Sequence, residues 1–160
     1  MKTIPLTQGY VAVVDDVDYD KVSVHNWCAK IDKKNVYAHR ILAGQNGAWT
    51  SQTMHRFILG LSDPKVKVDH WDNDGLNNRR ANLRMSTNQQ NCFNARIKPG
   101  RYKGVGWHAR CKKWRATICF NGNRISLGLF AVPEDAAKAY NSAALTYFGE
   151  FAKLNQIEEG

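Results

Sequence analysis

One polar stretch dominates the middle of this chain: V-D-H-W-D-N-D-G-L-N-N-R-R-A-N-L-R, from Val68 to Arg84. It contains three aspartates, one histidine and four asparagines, and it ends in basic residues. Three interpretations are open: a solvated loop held by asparagine side chains, a calcium-binding loop, or a metal-dependent active site. The spacing of the residues and the rest of the chain distinguish them.

The calcium interpretation fails on ligand spacing. A calcium loop of the helix–loop–helix type has ligands at positions 1, 3 and 5, a glycine at position 6 and a glutamate at position 12. With Gly75 at position 6, Asp72 and Asp74 occupy positions 3 and 5. Position 1 is then His70, however, and position 12 is Ala81. The two strongest ligands are therefore missing.

The same stretch suits the hydrolysis of a phosphodiester. That reaction needs a water nucleophile, a base that deprotonates it, and positive charge on the scissile phosphate and the leaving oxygen. A hard divalent cation such as Mg²⁺ binds through one or two oxygen ligands and keeps positions open for water and phosphate. A neutral histidine can act as the base near neutral pH, and an asparagine can fix its orientation.

The distribution of charge indicates a polyanionic partner. No acidic residue lies between Asp74 and Glu134, and that interval holds twelve of the 23 lysines and arginines. The whole chain has a formal net charge of +9. A basic surface kept only for solubility would not require acidic residues to be excluded over so long a span. We therefore expect nucleic acid to contact the middle of the chain.

Composition excludes several other classes of protein. With 160 residues, 43% apolar and 23% charged, the chain suits one ordinary domain or two small ones. No apolar run is long enough for a membrane span, and the N-terminus lacks the apolar core of a secretory signal, so we expect a cytoplasmic protein. The cysteines form no C-x-x-C pair, which argues against structural zinc and predicts reduced thiols: Cys28, Cys92, Cys111 and Cys119.

Short strands and a helix are predicted before the polar stretch. The strands are 10–14, 22–24, 35–38 and 49–53, with turns at 15–16, 33–35 and 44–47. Apolar residues at helical spacing predict a helix from Met54 to Leu61, which Gly60 and Pro64 end. After the stretch, a short helix capped by Ser86 or Thr87 extends to about residue 94.

Three strands and one helix are predicted in the last third of the chain. The strands cover 102–109, 114–120 and 123–130, with a hairpin turn at Asn121-Gly122. Pro133 suits the first turn of a helix that continues to Phe148, and Gly149 suits its end. Strand alternation directs one set of apolar side chains toward this helix: Val105, Ala116, Ile118, Ile125 and Leu127.

The polar stretch resembles the HNH endonuclease motif in its phage homing-endonuclease form. The resemblance rests on V-D-H-x-D, N-N-R-x-x-N-L-R and the following S-x-x-x-x-N, with one extra residue before Gly75. Residues 4–40 and Met54-His55-Arg56 also resemble such enzymes, and His55 is expected to be structural. The resemblance implies a ββα-metal fold, in which a hairpin and a helix surround one ion. By position it makes His70 the general base.

The resemblance assigns further roles to this sequence. Asn82 is expected to hold the His70 ring. Asp69 and Asn91 are expected to bind one ion per active site, and Asn91 in place of a histidine favours Mg²⁺ or Mn²⁺ over a softer metal.

Residues 102–155 resemble the AP2 DNA-binding domain through Y-K-G-V-G-W, K-W-R-A-T-I, R-I-S-L-G-L-F and the alanine-rich helix. In that family a three-stranded sheet lies in the DNA major groove and the helix supports its far face. Trp107 and Trp114 could contact DNA, but packing in the aromatic core is the expectation. Together the two resemblances imply DNA contacts at Arg79, Arg84, Lys103, His108, Arg110, Lys112, Arg115, Thr117, Arg124 and Ser126.

We therefore predict an α+β protein with two domains. A β-rich HNH (ββα-metal) nuclease domain covers 1–96, a linker 97–101, and an AP2-like domain, a three-stranded antiparallel sheet with one helix, 102–160. The leading hypothesis is a site-directed homing endonuclease for double-stranded DNA, encoded by a phage or other mobile element in a bacterial host. It nicks as a monomer or cuts both strands as a dimer.

Two other functions compete with this one. The first is a non-catalytic, sequence-specific DNA-binding regulator in which residues 1–95 are a scaffold. The second, RNA binding, fits less well because the AP2 sheet suits the wide major groove of B-form DNA.

Overall fold

A computed structural model describes residues 1–32, 35–44, 47–98 and 100–157. The chain divides into two compact units, Met1–Asn88 and Gln89–Gly160. Both combine helices with small antiparallel sheets, which agrees with the predicted mixture of helices and strands. The division falls before the predicted linker at 97–101, so the short helix after Thr87 belongs to the second unit.

The first unit contains three small sheets and two helices. The first sheet pairs β1 (Lys2–Pro5) with β2 (Val11–Val14), and helix α1 (Asp16–Ser23) follows. The second sheet has the order β3-β4-β5, formed by Cys28–Asp32, Asn35–Ala43 and Trp49–Thr53, and leads into helix α2 (Met54–Ile58). The third sheet pairs β6 (Lys67–His70) with β7 (Leu83–Ser86).

Most of the predicted elements in this unit are observed, but one is wrong. The strands predicted at 10–14, 35–38 and 49–53 and the helix beginning at Met54 are present, although that helix ends at Ile58. The strand predicted at 22–24 instead lies at the end of α1. Asp16 and Asp18 stand in the first turn of this helix, where acidic residues are favoured, and Val22 is buried one turn after Asp18. The turns predicted at 33–35 and 44–47 lie partly outside the described residues.

The core of the first unit holds the polar stretch in place. Leu83 joins a cluster of buried side chains from β1, β2, α1, β3, β4 and α2. The backbone of Val13 on β2 accepts a hydrogen bond from the Asn78 amide (2.8 Å) and donates one to the Leu76 carbonyl (2.9 Å). The buried carboxylate of Asp18 on α1 binds the Arg80 guanidinium at 2.7 Å. The polar stretch is thus anchored to the unit at both β2 and α1.

The second unit is a three-stranded antiparallel sheet packed against one long helix. Strands β8 (Val105–His108), β9 (Lys113–Phe120) and β10 (Asn123–Phe130) follow the short helix α3 (Asn88–Phe93), and β9 is central. Helix α4 (Pro133–Phe148) covers one face, and Gly149, with φ +54°, ends it as predicted. The core contains residues that alternation directed inward, Ile118, Ile125 and Leu127.

Helix α3 is built into the core of the second unit. Its Phe93 side chain stacks on Phe148 of α4, with ring centroids 3.6 Å apart, and also on Phe120 of β9 at 6.2 Å. Over the described ranges, no helix is long and apolar enough to cross a membrane. All four cysteines are free thiols.

Candidate active site

The β6–β7 hairpin presents the two central residues of the motif. Its register pairs Asp69 with Arg84 and His70 with Leu83. His70 is the last residue of β6 and is only 6% exposed, and Asp69 is also buried. Polar groups at such a depth require partners, and these partners define the site.

Three side chains surround the His70 ring: those of Asn78, His55 and Tyr37. Its Nε2 is 3.4 Å from Oδ1 of Asn78. The His55 ring stands edge-on to it, with centroids 5.1 Å apart and planes at 83°, and the Tyr37 ring lies at 5.9 Å. Burial lowers the pKa of His70, although the contact with Asn78 and nearby aspartates act in the opposite direction. The imidazole is therefore neutral near pH 7.

The asparagine that contacts His70 is not the predicted one. Asn82 was expected to hold the ring, but its amide donates to Asp72 Oδ1 (2.9 Å) and to the Asn77 carbonyl (2.8 Å). Its Oδ1 accepts from the Asp72 backbone at 3.1 Å. The chain folds back at residues 80–82, which brings the Asn82 amide onto the turn after His70 rather than onto the ring. Asn78 lies beside Asn77 in the motif, and nothing in the sequence indicated which asparagine of the motif would contact His70.

Asp72 organises the turn between the two strands. Its carboxylate accepts from the Asp74 backbone (2.8 Å), from Asn77 Nδ2 (2.6 Å) and from Asn82 Nδ2. Burial favours a higher pKa, but these hydrogen bonds outweigh it and hold the pKa of Asp72 below its ordinary value. Asp72 thus serves the turn itself, as does Asp74, whose carboxylate accepts from the Leu76 backbone at 3.0 Å.

Gly75 is required where this turn meets β4. A Cβ at Gly75 would collide with the Val36 carbonyl and with the ring of Tyr37. The turn therefore packs directly on the strand that places Tyr37 beside His70. Close backbone approach explains why glycine occupies this position.

Asp69, the predicted metal ligand, forms an ion pair with Arg84. The Nε and Nη2 atoms of Arg84 both donate to Asp69 Oδ2, at 2.9 and 2.7 Å. The side chains are only 11% and 16% exposed. Arg84 was predicted as a DNA contact; in the structure its guanidinium lies on the Asp69 carboxylate, and the DNA contact stays a prediction. The other predicted contact in this unit, Arg79, is half-buried and donates to Asn77 Oδ1 at 2.9 Å.

The donor chemistry of the predicted metal ligands fits a hard cation. A carboxylate and an amide both offer oxygen, the donor that Mg²⁺ and Mn²⁺ prefer. The Asp69 carboxylate already holds a cationic group, the Arg84 guanidinium. Asn91 lies on α3 in the second unit, and its partnership with Asp69 stays a prediction. Within the described parts of the chain, no three His, Cys, Asp or Glu side chains form a metal cluster.

The sheet of the second unit brings several predicted DNA contacts to one face. Thr117 pairs with Ser126, and Arg124 pairs with Cys119, on the side opposite α4. Arg115 follows the same alternation, and Arg110 and Lys112 are exposed in the turn between β8 and β9. His108 is half-buried, and its Nδ1 accepts from the Cys111 amide at 3.3 Å.

Lys103 has a role that the sequence did not reveal. Its ammonium donates to the carbonyls of Phe93 (2.5 Å), Ala95 (3.1 Å) and Cys92 (3.4 Å), at the C-terminal end of α3. Burial, with the charge of Lys153 nearby, lowers the pKa of Lys103 to about 8. A cation at a helix C-terminus satisfies carbonyls that lack helical partners. Lys103, predicted as a DNA contact, thus caps α3.

The two tryptophans of the sheet do not lie in the core. Trp107 and Trp114 are cross-strand partners whose rings pack edge to face, with centroids 5.3 Å apart. Trp107 is 54% exposed, so the expected core packing is wrong for this residue. The pair forms at the β8 edge of the sheet.

Comparison with known proteins supports the HNH interpretation. The chain is similar to an uncharacterized HNH endonuclease of Acanthamoeba polyphaga mimivirus, with 36% identity over 110 residues. The matched region is 66% of this chain and 58% of the relative, so the chain spans little more than half of that protein's length. No family model and no solved structure matches the chain. The AP2 resemblance stays a prediction.

Proposed function

We propose that this chain is a metal-dependent DNA endonuclease of the HNH type. One observation carries the proposal: a buried, neutral histidine, His70, follows the carboxylate of Asp69 at the end of a β-hairpin and faces an asparagine. This constellation is what a water-activating base beside a hard-cation ligand requires. The similarity to a relative named an HNH endonuclease supports the same function.

His70 acts as the general base in this proposal. With Nε2–H donating to Asn78 Oδ1, the lone pair of Nδ1 is the one that accepts the proton of the attacking water. The rings of His55 and Tyr37 fix the plane of the imidazole. Burial lowers the pKa of His55 to about 3, so that residue stays uncharged and does not oppose the protonation of His70.

The predicted metal ligands complete the reaction centre. Asp69 and Asn91 would hold one Mg²⁺ or Mn²⁺, which supplies positive charge to the scissile phosphate and the leaving oxygen when bound. Asp72 is already bound to the turn, so it serves the geometry of the hairpin.

The second unit anchors the enzyme on double-stranded DNA. Its exposed sheet face carries Arg115 and Arg124 beside the hydroxyls of Thr117 and Ser126, and the chain has a net charge of +9. Arginines that contact phosphates and base edges, together with hydroxyls, suit duplex DNA. We propose a site-directed enzyme of homing type, carried by a phage or other mobile element and active in the cytoplasm of its host.

Cleavage by the full chain tests the proposal. Purified protein is incubated with Mg²⁺ or Mn²⁺ and a supercoiled plasmid that carries its own coding locus or the intronless homologous DNA. Wild type nicks or cuts the plasmid, His70→Ala abolishes cleavage, and His39→Ala, which removes a histidine paired with Ser51, retains it. Mapping the ends distinguishes nicks from double-strand breaks. DNA binding without metal-dependent cleavage would support the non-catalytic regulator instead.

A further inference from the structure

The carboxylate proposed to bind the metal is also the partner of an arginine. Arg84 approaches Asp69 across the paired strands and places two donors on a single oxygen, Oδ2. Both side chains are largely buried, so water and salt screen their attraction less than at the surface. The pair is thus a buried contact in which two donors of one guanidinium meet one carboxylate oxygen.

A guanidinium and a divalent cation at the same carboxylate oppose each other. The two positive charges repel each other. The guanidinium also neutralises part of the carboxylate's negative charge, which leaves less of that charge to attract the metal. With Arg84 on Asp69, the affinity of the site for Mg²⁺ or Mn²⁺ is therefore lowered. The backbone pairing of β6 with β7 does not depend on the guanidinium, so the side chain can leave without unfolding the hairpin.

A DNA phosphate offers the guanidinium an alternative partner. Arginine binds phosphate through the same forked geometry that it uses for a carboxylate, and its charge is permanent. Arg84 is the last residue of the polar stretch and pairs with Asp69, the proposed metal ligand next to the scissile phosphate. In this proposal the Asp69 carboxylate and a DNA phosphate are therefore both within reach of the Arg84 side chain.

We propose that Arg84 alternates between Asp69 and a phosphate of bound DNA, and that its departure releases Asp69 for the metal. The inference rests on the proposed nuclease function and deepens it. Metal then binds more tightly to the DNA complex than to the protein alone, and by linkage the metal strengthens DNA binding by the same factor. The enzyme is loaded with metal chiefly on its substrate, which limits cleavage elsewhere.

A static role for Arg84 predicts the opposite sign. If the guanidinium only orients Asp69 for the metal, then its removal loosens the carboxylate and weakens metal binding. If Arg84 competes with the metal, its removal tightens metal binding to the protein alone. The direction of the change therefore decides between the two roles.

Manganese binding to the full chain is the measurement. Electron paramagnetic resonance of free Mn²⁺ gives the dissociation constant with and without a DNA duplex, in the His70→Ala background so that DNA stays intact. Arg84→Gln is expected to bind Mn²⁺ about tenfold more tightly than the His70→Ala background protein when DNA is absent. Adding DNA should then increase the Mn²⁺ affinity of Arg84→Gln by a smaller factor than it does for the background protein. Lys67→Gln is the matched control, because Lys67 is an exposed cation of the same hairpin, on β6, whose ammonium lies near the Pro64 carbonyl.

Each outcome bears on the proposal. Unchanged or weaker Mn²⁺ binding by Arg84→Gln, an undiminished effect of DNA, or a site that binds no Mn²⁺ in any state would overturn it. If a thermal melt shows that Arg84→Gln does not fold, Arg84→Lys is measured in its place. This variant keeps the charge but loses the forked geometry, so it should tighten Mn²⁺ binding to a smaller extent. Weaker or unchanged Mn²⁺ binding by Arg84→Lys would then overturn the proposal. Cleavage that persists in His70→Ala would instead remove the proposed catalytic role of His70, and the comparison of Mn²⁺ binding without DNA would still decide the role of Arg84.

Discussion

Asn78 faces the His70 ring, with 3.4 Å between Asn78 Oδ1 and His70 Nε2, whereas Asn82 is bound to Asp72 and Asn77. The two asparagines therefore have different tasks. Asn78 sets the tautomer of the His70 imidazole, and Asn82 closes the turn that follows His70.

Removing Asn78 should slow cleavage more than it weakens DNA binding. Asn78→Ala is expected to lower kcat by about 10- to 100-fold, because the imidazole loses the partner that fixes its tautomer. The affinity for DNA should change little, as measured by fluorescence anisotropy. Asn78→Asp, which keeps an oxygen at this position, should restore part of the rate.

Asn82→Ala is the matched comparison for that variant. Its main effect should be a lower melting temperature, because three hydrogen bonds of the turn are lost. A rate unaffected by Asn78→Ala, together with a rate abolished in a fully folded Asn82→Ala protein, would return the ring-holding role to Asn82.

Gly75→Ala should damage the site through packing alone. The added Cβ meets the Val36 carbonyl and the Tyr37 ring, so either the turn or β4 must move. We expect a loss of about 1–3 kcal/mol in the free energy of unfolding and a large loss of cleavage. Chemical denaturation of the full chain measures the first quantity.

Gly106→Ala provides the control for Gly75→Ala. Gly106 has nothing within 4 Å of an added Cβ and no positive φ, so stability should stay close to that of wild type. Equal stability of the two variants would contradict the close approach at Gly75.

The first unit should lose stability in acid through Asp18. The hydrogen bond from Arg80 lowers the pKa of Asp18 despite its burial, so the carboxylate stabilises the fold above its unfolded-state pKa. That contribution disappears as the pH falls through the lower, folded-state pKa. Asp18→Asn should cost on the order of 2 kcal/mol at pH 7, and its unfolding free energy should fall less steeply than that of wild type below about pH 4.

Asp16→Asn is the control for Asp18→Asn. Asp16 is exposed and pairs with the N-terminal ammonium rather than with Arg80. Its replacement should leave the pH dependence near that of wild type in the same denaturation series. An equal effect of the two variants would contradict the role assigned to the buried pair.

DNA affinity should depend on the exposed face of the second unit. Arg115→Gln is expected to weaken binding and to reduce the slope of log K against log salt concentration by about 1 if the guanidinium contacts a phosphate. Lys138→Gln removes the same charge from α4, which covers the opposite face of the sheet, and should have a much smaller effect. Equal effects of the two substitutions would indicate non-specific attraction by net charge.

Local patterns made much of the second unit predictable. Alternation along residues 114–120 and 123–130, the Asn121-Gly122 turn, and Pro133 and Gly149 at the ends of a helix are short-range signals, and the observed elements follow them. In the first unit the β-branched residues at 22–24 suggested a strand. The acidic first turn and the buried spacing of Asp18 and Val22 favoured a helix instead.

The order of amino acids supplies the side chains that are available for chemistry: Asp69, His70 and the asparagines of the motif, and the basic residues that follow. Which of these side chains meet depends on the folded backbone. Asn78 rather than Asn82 reached His70, Arg84 reached Asp69, and Lys103 reached the end of α3. The physical reason is that a buried polar group binds whichever donor or acceptor the folded backbone brings within about 3 Å, and spacing along the chain does not fix that distance.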